Sequence, residues 1–195
     1  MRVELIQEVE RLTVNAARRR RDLQVTGLHK AKRRKALTVL AGVLALTSAG
    51  AITTVISRVF GSIAIQLAAA LTAAVSGTVS LLITSYYSDD AVFNMLLGST
   101  KYLALRENVY RLVIHPSLTD DERFRLLEEF QVEYARLDET YSRYFSVGDE
   151  RFISSEPPRV RVGLAIRKSV AEAGLQEREH FRKELDKLGL DPNAS

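Results

Sequence analysis

The 195-residue chain contains no cysteine, which removes both a disulfide framework and a thiolate metal site. Its three histidines, His29, His115 and His180, lie far apart and form no His-x-x-x-His or His-Glu-x-x-His pattern. No Gly-rich phosphate loop, Ser-x-x-Lys or Gly-x-Ser-x-Gly element occurs. Asp89-Asp90 and Asp120-Asp121-Glu122 are the only acidic groupings that draw attention. Both suit helix starts, where acids complement the dipole. The expectation is a protein with no catalytic residues, no cofactor and no metal. No aromatic residue precedes Phe60, so the basic N-terminal third has no base-stacking groups and nucleic acid is not the expected partner.

The most informative absence is charge. Overall, 27% of residues are charged and mean hydropathy is close to zero, as in an ordinary wetted protein. Yet residues 36–57 carry no charge, and after Arg58 another uncharged run extends to Asp89. The first run, ALTVLAGVLALTSAGAITTVIS, holds only Ser and Thr besides aliphatic residues and glycine. Their hydroxyls can bond back to helix carbonyls. At 1.5 Å per residue it is about 33 Å long, enough for a hydrocarbon core of about 30 Å. The second run, 59–87, has Gln66 as its one strongly polar group and ends at Tyr86-Tyr87, rings suited to the headgroup level. Two buried helices of a soluble core would need far more surrounding chain than is present. A cleaved leader is possible at Ala49-Gly50-Ala51, but the apolar run continues past that site and a second follows. The expected fold is all-α: an integral membrane hairpin of two transmembrane helices with cytoplasmic helices before and after it.

Orientation follows from the positive-inside rule. Arg18, Arg19, Arg20, Arg21, Lys30, Lys32, Arg33, Arg34 and Lys35 precede the first span with Asp22 as the only acid among them, whereas the connecting turn offers only Arg58. Both termini are expected in the cytoplasm of a bacterial inner membrane, with the nine basic residues at its anionic leaflet. The turn Arg58-Val59-Phe60-Gly61-Ser62 is short enough to join only neighbouring antiparallel helices. On the second span, Gln66, Ala69, Ala73, Ser76, Ser80 and Thr84 form one stripe at spacings of three and four; Thr38, Ala41, Ala45, Ser48 and Ile52 do the same on the first. Small faces allow close helix packing in lipid. In an oligomer, the mildly polar stripe of the second helix could equally line a pore.

The flanking segments read as helical. Residues 1–35 form a basic helix with Leu5, Val9, Leu12, Ala16 and Leu23 at helical spacing. Residues 88–150 form a cytoplasmic hairpin. Its first helix, 89–114, has Phe93, Leu97, Tyr102, Leu105 and Val109 on its apolar side and ends at His115-Pro116-Ser117. The second opens at a Thr119–Glu122 capping box and carries the seam Leu127, Phe130, Tyr134, Leu137, Tyr141 and Tyr144. Residues 151–195 are a Pro157-Pro158 linker and a charged helical tail with Phe181, Leu185 and Leu188 as a short apolar face, Gly174 as an interruption and a frayed end from Asp191.

Three features together, LHKAKRRKAL (28–37) before two closely joined spans, KYLALRENVYRLVI (101–114) and EFQVEYARLDETYSRY (129–144), resemble the SLATT family over residues 15–150. These are two-transmembrane effector domains associated with bacterial second-messenger nucleotide synthetases and SLOG nucleotide sensors. The resemblance implies a homo-oligomeric, pore-forming effector of an antiphage system. Gln66, Ala73, Ser76 and Ser80 would face the pore, and the cytoplasmic helices would receive a nucleotide signal or a partner protein that makes or senses one. The competing expectation is a passive two-span anchor that recruits a cytosolic partner.

Overall fold

The computed structural model describes residues 3–57, 63–115, 117–145 and 157–190, with the side chains of 48–57, 63–66, 68, 69, 85, 86 and 157–162 excepted. The turn Arg58–Ser62, Pro116, Ser154–Glu156 and the tail from Asp191 lie outside the described residues, as do the side chains of Ala49-Gly50-Ala51 and Tyr86. The described residues are all-helical. They form five α-helices, α1 (Val3–Ser57), α2 (Ile63–Tyr86), α3 (Asp89–Ile114), α4 (Asp120–Tyr141) and α5 (Pro157–Lys187), and a 3-10 turn, Ser142–Tyr144, that follows α4. The chain divides into two compact units. One takes residues 1–27 and 93–195; the other takes residues 28–92.

In the first unit, residues 3–27 of α1 are buried on several sides. Leu5, Val9, Leu12, Ala16 and Leu23 are buried as their spacing predicts, and so are Ile6, Thr13, Val14, Ala17 and Asp22. Glu4, Gln7, Arg11, Arg18 and Arg21 form the one exposed stripe, so the helix packs against neighbours on most of its circumference. It runs antiparallel to α3, since Leu23 meets Gly98 while Gly27 lies against Met95. It is antiparallel to α5 as well: Glu10 pairs with Arg178 at 3.0 Å and Arg21 donates to Ser169 at 2.8 Å. Helix α4 returns antiparallel along α3, with Tyr102 edge-on to Tyr134 at 5.8 Å and Gly98 against Tyr141. The result is an antiparallel helical bundle of the kind short loops produce. Its core is completed by Met95, Leu105, Val109, Leu127, Phe181 and Leu185. Each such side chain contributes roughly 1.5–3 kcal/mol on burial.

Local chemistry sets the helix ends. The Thr119–Glu122 capping box forms as the sequence predicts, with the Glu122 amide donating to Thr119 Oγ1 at 3.3 Å and the Thr119 amide donating to Glu122 Oε2 at 2.9 Å. These Thr119 hydrogen bonds hold the Glu122 carboxyl below its usual range. Ser88 caps α3 by accepting from the Ala91 amide. Gly189, at φ 67°, closes α5 in a Schellman turn, where the Leu190 amide reaches the Leu185 carbonyl at 3.0 Å. Three expectations change. Gly174 does not interrupt α5; the helix runs through it, and the missing Cβ gives room to the Arg18 side chain. Phe93, assigned to the apolar side of α3, is 65% exposed, while Leu188 at the far end of α5 is also exposed.

The second unit comprises the rest of α1, all of α2 and the first turn of α3. Ser76 of α2 donates to the Ala41 carbonyl of α1 at 3.4 Å. Lys30, closer to the start of α1, lies within electrostatic reach of Tyr87, at the end of α2. Advancing along α1 therefore means retreating along α2, which makes the two antiparallel. Its large apolar side chains point outward, among them Val39, Leu40, Val43, Leu46, Leu67, Leu71, Val75, Leu81 and Leu82. Among the described residues, one helical stretch, Ala70–Ile114, is long and apolar enough to cross a membrane.

Candidate functional site

The stripe on α2 is only partly drawn into contact. Gln66 and Ala69 lie in α2, but their side chains are outside the described residues. Ser76 is half-buried against α1, joining the two small-residue stripes at Ala41, while Ala73, Ser80 and Thr84 remain exposed. The hydroxyls close on their own helices. Thr84 Oγ1 donates to the Ser80 carbonyl, Thr78 to Ala74, Thr47 to Val43 and Thr38 to Arg34. Each of these four threonine hydroxyls thus has an acceptor that does not depend on water.

The nine basic residues separate into two groups. In the run Arg18–Arg21, three side chains engage helices of the bundle. Arg18 lies over Gly174 of α5, and Arg21 holds Ser169. Arg19 binds Asp138 of α4 through two bonds, Nε–Oδ1 at 2.7 Å and Nη2–Oδ2 at 3.2 Å, and stacks over Phe145 at 4.1 Å. Burial works against the Arg19 charge, but the Tyr134 hydroxyl and Asp138 outweigh it and raise its pKa. Arg20 is half-buried and has no acidic partner among the described residues. In the second group, Lys32, Arg33 and Lys35 are exposed, and Arg34 pairs with Asp89. Partial burial lowers the Lys30 pKa, and Tyr87 opposes that shift. Of this second group, Arg34 alone has an acidic partner among the described residues.

The α4 seam is brought together. Leu127, Leu137 and Tyr141 are buried, and Phe130, Tyr134 and Tyr144 are half-buried. Its centre is polar: Tyr102 lies fully buried, with its hydroxyl 3.4 Å from Asp138 Oδ1. Burial, then Asp138 and Tyr134, push the Tyr102 hydroxyl well above its ordinary pKa. Sequence reasoning missed Asp138, although it lies four residues beyond Tyr134 on the same face, which is the signal that could have found it. It also missed Glu10, which takes both Arg178 and Arg182. Among the described residues no group of three or more His, Asp or Glu could hold a metal ion.

Compared with family models, curated proteins and solved structures, the chain matches none.

Proposed function

We propose that the chain is a membrane-permeabilising effector. The unit 28–92 forms a two-span hairpin in a bacterial inner membrane with both termini cytoplasmic, several copies assemble, and the bundle of residues 1–27 and 93–195 receives the trigger. The observation that supports this most is the outward placement of apolar side chains on α1 and α2. The most apolar window of the Ala70–Ile114 stretch is only 6% buried. A helix that is apolar because it fills a soluble core would be mostly buried, so water is the wrong solvent for this surface. Lys32, Arg33 and Lys35 then meet anionic lipid at roughly 1 kcal/mol each. The exposed Ala73, Ser80 and Thr84 are available to a neighbouring copy or a water-filled pore.

The resemblance to SLATT effectors supplies the antiphage setting and a nucleotide-linked trigger as part of this proposal. The test is inner-membrane potential during controlled expression in a bacterial host. Depolarisation that changes with Ser76→Leu or Gln66→Leu supports the effector. Unchanged potential at high membrane levels, with candidate signalling partners co-expressed, leaves the anchor reading. That second reading draws on the outer side of α4, where Val132 is exposed amid the mixed charges of Arg125, Glu128, Glu129, Glu133, Arg136 and Glu139.

A further inference from the structure

The bundle contains a polar cleft that neither the pore nor the seam uses. A cavity of about 610 Å³ opens between residues 17–24 of α1, α3 and α5, and a second, of about 270 Å³, shares its wall at Arg106, Glu177 and His180. The volume is ample for a metabolite-sized ligand. Arg20, Arg21 and Ser169 line the larger cavity at the α1 side. Glu172, which lines the same cavity from α5, is met by Lys168 at 3.9 Å, and Arg21 donates to Ser169, so the α1 side presents two guanidinium groups and one hydroxyl.

The smaller cavity has the opposite requirement. Glu177 is 8% exposed; Arg106 approaches its Oε2 at 3.4 Å, but Oε1 is buried with no hydrogen-bond partner. A buried carboxylate oxygen left unmet costs free energy. The Tyr110 hydroxyl, on the same cavity wall, is likewise buried and unpartnered. Burial, with Glu184 and Glu177 adding to it, pushes its pKa up to about 12, so it stays protonated as a donor at neutral pH. The Tyr110 ring stacks on His180 at 6.0 Å. One wall therefore offers an acceptor beside a donor, and the other offers arginines.

We propose that this cleft binds a small phosphate ester carrying a lactam edge, the chemistry of a 6-oxopurine nucleotide. The ring N–H would donate to Glu177 Oε1, the adjacent carbonyl would accept from Tyr110, and the phosphate would meet Arg20 and Arg21. Arginine suits phosphate because its fork donates two bonds to one group. The site stands on the cleft's own chemistry and does not depend on the hairpin forming a pore.

Calorimetric titration of the full-length protein in detergent tests this, with GMP, AMP and inorganic phosphate as probes. GMP should bind saturably, at least tenfold more tightly than AMP, which lacks the lactam edge, or than phosphate alone. Tyr110→Phe removes one oxygen and should cut the GMP-over-AMP preference severalfold. Glu177→Gln, whose amide can turn an acceptor to GMP or a donor to AMP, should cut that preference severalfold, with helix content followed by circular dichroism to separate lost binding from lost fold. Arg20→Ala should weaken GMP and phosphate alike. The proposal is overturned if GMP does not saturate at millimolar concentration, if phosphate binds as tightly as GMP, or if folded Tyr110→Phe and Glu177→Gln both keep the preference.

Discussion

The two units are built from the same element, and helix α1 belongs to both, yet they put apolar side chains on opposite sides. Over residues 3–27, Leu5, Val9 and Leu23 are fully buried; over residues 39–46, Val39, Leu40, Val43 and Leu46 are outward, Leu46 at 76% exposure. The polar groups reverse as well. Asp22, Glu10 and Thr13 are inside the bundle, whereas the second unit folds its hydroxyls back on its own carbonyls. A helix's sequence thus reports its solvent as clearly as its backbone does. The outward pattern of the second unit is the one that the proposed membrane hairpin requires.

The largest expected effect comes from emptying the bundle core. Phe181 is fully buried and packs edge-on against Tyr110 at 6.0 Å. Phe181→Ala should cost about 3–5 kcal/mol. Leu71→Ala, at a side chain 65% exposed, should leave the bundle's unfolding midpoint in detergent unchanged. Equal losses in the two variants would erase the contrast between the units.

Next is overpacking where three helices meet. A Cβ at Gly98 would lie 2.8 Å from both the Leu23 Cδ1 methyl and the Tyr141 ring; Leu23 is fully buried and the ring is rigid, so neither has room to give way. Gly98→Ala should destabilise by about 1–3 kcal/mol. Gly77→Ala in α2 meets nothing within 4 Å and should be neutral or slightly stabilising. Thermal unfolding by circular dichroism reads both. Smaller again is the cap: Thr119→Ala removes the Oγ1 that accepts from the Glu122 amide, leaves the residue-119 amide on the Glu122 carboxylate, and should lower the midpoint by about 3 °C.

Much of this was legible in the sequence, for identifiable reasons. The capping box and the 89–114 helix could be read because caps and apolar periodicity act within a few residues. The burial of Leu5, Val9, Leu12, Ala16 and Leu23 followed from spacing alone. What could not be read was partnership. Arg18–Arg21 looks like a membrane-surface run in one dimension. In three dimensions Arg19 reaches Asp138, over a hundred residues away, and Arg21 reaches Ser169. Gly174 looks like a helix breaker until Arg18 is found crossing it. The cleft was invisible for the same reason, since Arg20, Tyr110 and Glu177 come from three separate helices.

The smallest expected effect is a pH response at His29, which begins the second unit's basic run. Its Nε2 is buried without a hydrogen-bond partner among the described residues. Burial first, then the charges of Arg33 and Lys32, lower its pKa below the ordinary 6.5. The unfolded chain therefore takes up the proton more readily than the folded one, and stability rises with pH across the interval between the two pKa values. The His29 contribution is complete above pH 6.5 and is lost as the pH falls below it. His29→Gln removes this titration. Between pH 7.5 and 5.5 the wild-type midpoint should fall further than the variant's, by about 1 °C because the ring is partly solvated. Parallel curves would mean that the imidazole takes up its proton equally well folded and unfolded, and that Arg33 and Lys32 do not bear on it.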